Sequence, residues 1–389
     1  MNCALPRILK WSVLHTAIRP TALASSALFF SASTLVHAAA FVPGDLVIYR
    51  VGDGTNNPAT SSANPVFVDE RSPSGTLVQS IALPTTGTDA VTANRSATAE
   101  GLLQRSPDGT RITVPGYSAD VGTANVTSST VPRTATVIGV SGSISGTIDL
   151  TASPTNPYSA GTLRSVITTD GANFWSAGVN GGNPGAQYFD GSGNSVQLNS
   201  TVTTLRAIDI FGGQLYVSAS TANFIGINAI GTGLPTTGSQ TVTLAINTGG
   251  SPYQFYLADM LPGVAGLDTA WIADDRAIAS GGGIQRWNFD GAAWTLAYTI
   301  NTGTTGARGL AVDLSGPSPV LFATTTEASD NRFISVTDTG ASSTFTLLAT
   351  AGANQAYRGI DFAPVPEPAA FASILGGMAV LGILRRRRA

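Results

Sequence analysis

Six positions in this chain pair anion-gripping chemistry with regular spacing: Glu100, Arg164, Arg206, Gln254, Arg308 and Arg358. Four are arginines, whose planar guanidinium forks bind carboxylate, sulfate or phosphate through two hydrogen bonds at once. Each arginine precedes a small residue and then a β-branched residue or leucine. The four runs are Arg164-Ser165-Val166, Arg206-Ala207-Ile208, Arg308-Gly309-Leu310 and Arg358-Gly359-Ile360. If the six positions are equivalent in the fold, they form one ring. That ring is either an anion site, for acidic sugars for example, or a set of packing ion pairs to neighbouring acids such as Asp209 and Asp361. A possible loop site is the run Asp274-Asp275-Arg276. Adjacent carboxylates can hold calcium with backbone oxygens, but no EF-hand or nonapeptide calcium pattern accompanies them. The run therefore reads as a solvated loop with a local ion pair, and no metal or other cofactor is expected.

Rare residues exclude more than the common ones suggest. Cys3 is the only cysteine, Lys10 the only lysine, and His15 and His37 the only histidines. All lie in the first 37 residues. If that segment is removed, no His base, thiolate nucleophile or Lys Schiff base remains. His- or Cys-ligated zinc and structural disulfides go with them. Residues 41–364 hold 13 Arg against 22 acids, a balance of −9, which suits nucleic acid poorly.

The elements that must position these groups are β-strands. Only 11% of residues are charged and 44 are glycine, a composition that fits long helices poorly. Between 41 and 364 the chain alternates short β-type runs with Gly, Pro, Asn, Asp and Ser, without sustained helical periodicity. The six positions mark an internal repeat of roughly fifty residues, and each interval has room for four short strands. The interval from Arg308 predicts strands over Gly309–Asp313, Val320–Ala323, Phe333–Thr337 and Phe345–Ala349. The interval before it predicts Ile284–Phe289 and Trp294–Ile300, joined at Asp290-Gly291. The last interval has one strand, around Ile360, and the chain start supplies three more: Leu46–Arg50, Val66–Asp69 and Leu77–Leu83. One C-terminal strand plus three N-terminal strands is the ring closure of a β-propeller, which protects sheet edges. The expectation is an all-β propeller of six four-stranded blades, with seven as the alternative if the long loop from Pro115 to Pro132 hides a hairpin. Trp175, Trp271, Trp287 and Trp294 read as blade core rather than sugar platforms. The run Thr169–Trp175 resembles the Asp-box of sialidases but departs from it in the position of Gly, and reads as a hairpin.

The two ends read as addresses. Residues 1–40 have a basic start (Arg7, Lys10, Arg19), an apolar stretch from Thr21 to Val36, and Ala38-Ala39-Ala40 at its end. That is the order of a secretory signal peptide, cut by signal peptidase. Residues 365–389 hold Pro366-Glu367-Pro368, an uncharged stretch over 369–384, and Arg385–Arg388. Sixteen helical residues span about 24 Å, short of the ~30 Å hydrocarbon core, and the arginines would stay cytoplasmic. This three-part order resembles the PEP-CTERM sorting signal of Gram-negative bacteria. The resemblance covers only the last 25 or so residues. It implies that an exosortase, a membrane cysteine transpeptidase, recognises Pro366, Glu367 and Pro368 and removes the helix after transient inner-membrane anchoring. The protein would then be released or attached at the cell surface.

The domain expectation is therefore a signal peptide over 1–40, a propeller over 41–364 and a sorting signal over 365–389. The body resembles secreted bacterial propellers in general. Its expected function is a non-enzymatic surface or matrix module that binds surface glycan or exopolysaccharide, another polymer or a protein, without nucleic-acid partners. Two alternatives stand beside it. One is a glycan-cleaving enzyme, sialidase-like or of the carboxylate-pair type, with Tyr357, Tyr256 and Glu100 as candidates. The other is a structural repeat making no specific contact.

Overall fold

The computed structural model describes Met1 and residues 38–366, apart from 55–59, 152–154 and 328–329. Most of the expected signal peptide, Glu367, Pro368, the 369–384 stretch and Arg385–Arg388 lie outside the described residues. The chain divides into two units, Met1–His37 and Ala38–Ala389, and every strand belongs to the second. Among the described residues no helix is long and apolar enough to cross a membrane.

The fold is all-β, with antiparallel sheets in a propeller arrangement. The chain opens with β1 (Leu46–Val51), β2 (Ala63–Arg71), β3 (Leu77–Ala82), β4 (Thr92–Asn94), β5 (Gln104–Arg105), β6 (Arg111–Tyr117), β7 (Arg133–Gly139) and β8 (Ile144–Asp149). Four meanders follow, each a separate four-stranded sheet. The first is β9 (Thr162–Thr168), β10 (Phe174–Val179), β11 (Gly185–Phe189) and β12 (Ser195–Gln197). Next come β13 (Leu205–Phe211), β14 (Gln214–Ala219), β15 (Gly226–Ile230) and β16 (Val242–Asn247). The third holds β17 (Pro252–Ala258), β18 (Thr269–Asp274), β19 (Gly283–Phe289) and β20 (Trp294–Ile300). The fourth holds β21 (Ala307–Asp313), β22 (Val320–Thr325), β23 (Arg332–Thr337) and β24 (Phe345–Thr350), and β25 (Ala356–Phe362) ends the series.

The expected count of six or seven separate blades is not what the sheets show. Four blades are separate, and the remaining strands form one nine-stranded sheet. In that sheet β25 pairs with β1, β1 with β2, and β2 with β3, so the C-terminal strand does lie on the N-terminal hairpin. β5 pairs with β6, β6 with β7, and β7 with β8. The short strand β4 joins the two groups, pairing with the start of β2 and with Tyr117 of β6. No hairpin lies in the Pro115–Pro132 loop; it carries one 3-10 turn, Val126–Ser128.

Burial falls from the centre outward, and the residue types follow it. The second strands β10 and β18 are buried along their whole length, and their Ala and Gly let neighbouring sheets approach. In the outermost strands β8, β16, β20 and β24 nearly every position is half-buried or exposed. Trp175, Trp271 and Trp287 are buried between sheets as expected, whereas Trp294 is half-buried.

The strands β5, β9, β13, β17, β21 and β25 touch one another in a closed cycle around an axis. Leu102, just before β5, bridges Ser165 of β9 in parallel. Close approach here explains the glycines after Arg308 and Arg358. A Cβ on Gly359 would stand 2.7 Å from Leu102 Cα and Leu103 N. Nothing larger than glycine fits where β25 passes the 101–103 segment.

Candidate functional site: two mouths on one axis

Five of the six expected positions lie near the starts of inner strands: Arg164 on β9, Arg206 on β13, Gln254 on β17, Arg308 on β21 and Arg358 on β25. Glu100 precedes β5. The structure thus brings the six toward one end of the axis, but it divides their roles.

Gln254 is a plug. Its side chain is 2% exposed. Nε2 donates to Leu103 O at 2.9 Å, and Oε1 accepts from Leu310 N at 3.3 Å and Ile360 N at 3.0 Å. Gln104 adds a second layer, donating to Ile208 O at 2.6 Å. Two amides thereby tie five inner strands together across the axis and separate its two mouths.

The arginines cap the other strands' starts. Arg164 Nη1 donates to Leu205 O at 3.0 Å. Arg206 Nη1 donates to Ser251 Oγ at 2.6 Å and Pro252 O at 3.2 Å. Arg358 Nη2 donates to Arg95 O at 2.7 Å. Among the described residues Arg308 alone of the four has a carboxylate, Asp275, at 2.9 Å. The guanidiniums of Arg206 and Arg308 both lie over the ring of Tyr253, at 4.3 and 5.3 Å from its centroid. The pairing with Asp209 and Asp361 anticipated as the packing alternative does not occur. Both acids sit three residues farther along the same strands as Arg206 and Arg358, about 10 Å on, and reach the opposite mouth.

The arginine mouth is poor in compensation. Among the described residues, Arg164, Arg206 and Arg358 have no carboxylate within ion-pair distance, and the Nε of each is buried without a hydrogen bond. Arg358 is 4% exposed. Burial first, and then neighbouring Arg308, push its guanidinium down to about 10. Burial also lowers Arg164, with Arg206 adding to the effect. Glu100 is the nearby acid. Burial pushes it up to about 7, against the opposing pull of the Tyr117 hydroxyl and Arg358. Tyr117 donates to Glu100 Oε1 at 2.5 Å, and Thr127 donates to the same atom at 3.2 Å.

The Asp274-Asp275-Arg276 run is not a solvated loop. Asp274 is fully buried. Its carboxylate accepts from Arg276 Nε at 2.9 Å, Arg276 Nη2 at 3.0 Å, Ser251 N at 2.9 Å and Gln285 Nε2 at 3.2 Å. These donors occupy both oxygens that calcium would need. Asp275 instead belongs to the arginine mouth. Burial raises its carboxyl, but Ser251, Arg308 and Arg206 outweigh that and hold it below its ordinary value. Among the described residues no group of three or more His, Cys, Asp or Glu side chains is arranged to hold a metal ion.

The expected catalytic candidates do not converge. Tyr357 OH accepts from Arg71 Nη2 at 2.9 Å, away from the ring. Tyr256 lines the opposite mouth, while Glu100 is at the arginine mouth. Sequence reasoning missed Tyr253, whose position directly before Gln254 was the available signal, and Gln104, which carries none.

No protein-family model matches the chain, and no curated protein matches it. Among solved structures, AztD from Citrobacter koseri is similar at 11% identity over 82% of this chain and 98% of that one, with a TM-score of 0.39. An ulvan lyase, from a new polysaccharide-lyase family, is similar at 12% identity over 81% and 87%, with a TM-score of 0.37. Drosophila semaphorin 1a is similar at 10% identity over 84% of each chain, with a TM-score of 0.38. No property of those proteins passes to this chain at that level of likeness.

Proposed function

We propose that this protein is an exported surface propeller whose arginine mouth binds an acidic glycan. The observation that carries the reading is the set of buried, unpaired Nε atoms on Arg164, Arg206 and Arg358. Removing a cation from water costs several kcal/mol unless a counter-charge compensates. Here one acid, Asp275, serves the arginines directly, and Glu100 resists ionisation. A bound carboxylate or sulfate would supply the missing charge through guanidinium forks. Tyr253, itself buried, packs against two of those guanidiniums and holds them in place.

The blade count is read as six. The strands β25-β1-β2-β3 and β5-β6-β7-β8 are taken as two blades laced together by β4. The closed cycle of six inner strands supports that count. Export rests on the signal-peptide order of residues 1–40, and surface sorting on Pro366-Glu367-Pro368 with the apolar stretch and arginines behind it. Both segments flank the propeller as separate addresses. Signal peptidase and an exosortase are the corresponding partners.

Calorimetric titration of the full chain with oligogalacturonate, a sulfated oligosaccharide and a neutral control tests the binding reading. Acidic sugars are expected to bind, more weakly as salt rises, and Arg206→Ala is expected to weaken them. Equal affinity in Arg206→Ala and Arg308→Ala would return the arginines to packing alone. Sorting is read separately, by the mass and cell fraction of the exported chain with and without Glu367→Ala.

One observation favours the glycan-cleaving alternative: Glu100, Tyr117 and Arg358 lie together, with the Glu100 carboxyl raised. Both Glu100 and Tyr117 are buried, at 3% and 2% exposure, which leaves substrate no route to them in this conformation. Binding is the stronger reading.

A further inference from the structure

The ends of the inner strands away from the arginines line an open cavity of about 740 Å³. That lies within the usual range of small-molecule sites, about 300–1,000 Å³. Its character is opposite to the arginine mouth. Asp209 and Asp361 line it, from β13 and β25. The half-buried rings of Phe211, Tyr256 and Phe362 line it as well. Phe211 and Tyr256 meet edge to face, with centroids 5.3 Å apart and planes at 77°, which fixes their orientation.

The two carboxyls are only partly spent on structure. Among the described residues neither is ion-paired. Asp209 Oδ1 accepts only the backbone N–H of Ile210, at 2.7 Å. Asp361 accepts the N–H of Phe362 at 2.7 Å and that of Arg105 at 2.9 Å. Each keeps acceptor capacity toward the cavity.

We propose that this cavity is a second binding site, for an uncharged sugar ring, with Asp209 and Asp361 bonding its hydroxyls and Phe211 and Tyr256 packing on its C–H face. Three features select that ligand. Three acids at the cavity wall, Asp209, Asp313 and Asp361, outnumber its one cation, Arg105, and so disfavour anions, which makes the ligand differ from that of the arginine mouth. Aromatic walls favour a ligand with an apolar face. Burial, with the Asp361 charge second, raises the Asp209 carboxyl, and burial raises Asp361 against the pull of Arg105, so a protonated carboxyl at this wall offers a donor and an acceptor at once. Vicinal hydroxyls require that combination, whereas an organic cation or calcium requires two ionised groups. The Gln254 and Gln104 plug separates the two sites, so they fill independently.

The test titrates the full chain with neutral hexasaccharides of glucose, mannose and galactose, and separately with spermidine and calcium. One neutral sugar is expected to bind. Asp209→Asn and Tyr256→Leu are each expected to weaken it by about tenfold or more, while Arg206→Ala leaves it unchanged. Thermal melting of each variant confirms folding. Asp209→Asn keeps the side-chain volume, and so stands in if Tyr256→Leu does not fold. No binding of any neutral sugar overturns the proposal, as does binding that survives both variants. Tight binding of spermidine or calcium in their place also overturns it. Because the arginine variants report only on the other mouth, failure here is distinguishable from failure of the acidic-glycan reading.

Discussion

Gln254 Oε1 accepts the backbone N–H of Ile360 at 3.0 Å, joining strands that lie far apart in sequence and meet only at the axis. The same side chain bonds Leu103 O and Leu310 N. Gln254→Ala leaves those three backbone groups without a partner. Each unsatisfied buried group costs about 1–3 kcal/mol, so a loss of about 3 kcal/mol is expected. Urea unfolding measures it. A loss below about 0.5 kcal/mol, the usual range of surface substitutions, would mean that water replaces the amide and the axis is open.

Arg206 and Arg358 are expected to separate binding from stability. Arg206 is half-buried and contributes two hydrogen bonds and a stacking contact on Tyr253. Arg206→Ala is expected to cost about 1 kcal/mol of stability and to weaken acidic oligosaccharides about tenfold. Arg358 is buried beside Glu100. Arg358→Ala removes the donor to Arg95 O and opens a void at the axis, and is expected to cost about 2 kcal/mol or more. Paired melting and titration curves for both variants check the contrast.

Glu100 makes stability depend on pH. Its folded-state value is about 7, raised by burial above the ordinary glutamate value. Between those two values the folded chain holds a proton that the unfolded chain has lost. The stabilisation is therefore complete below the ordinary glutamate pKa and is lost as pH rises through about 7. Melting temperature is expected to fall from about pH 5 to about pH 8, and Glu100→Gln to flatten that fall. An unchanged slope in Glu100→Gln would assign the dependence to other groups.

Asp209 has the same sign at the other mouth. Burial, with Asp361 second, raises its carboxyl well above the ordinary value. Removing the charge is expected to help the fold at neutral pH. Asp209→Asn should raise the melting temperature at pH 7 or above, with the gain shrinking toward acid, where the native carboxyl is protonated. Scans of both proteins across that range decide it.

Removing the Asp274 carboxylate is expected to cost stability. It is fully buried and accepts a fork from Arg276. Asp274→Ala leaves Arg276, Ser251 N and Gln285 without their shared acceptor, and a loss of about 3 kcal/mol is expected. Asp275→Ala, at the next residue, should instead act on anion affinity through Arg308. Comparing the two tests whether adjacent acids serve different ends.

The strands were legible because alternation and turn residues are local signals. The Trp294–Ile300 strand matches its expected bounds, and the Val320 strand begins and the Asp313 strand ends where expected. The arrival of β25 on β1 was legible too, from a repeat whose last interval was short of strands. β4 was not: three residues carry no period, and its pairings are with segments on either side of it in the chain. That short strand is what fuses nine strands into one sheet.

The sequence alone determined the all-β class, the inventory of groups available for chemistry, and the small residue that follows each arginine. It also set Arg and Asp three positions apart on β13 and β25. Only the tertiary structure decided what those charges meet. Partners such as Leu205 O and Arg95 O are backbone carbonyls, which every residue carries and no sequence pattern marks. Asp209 and Asp361 come together only because strands remote in the chain share an axis. Composition and periodicity act over a few residues, whereas a mouth is assembled from the ends of many strands, and its charge balance exists only once the ring has closed.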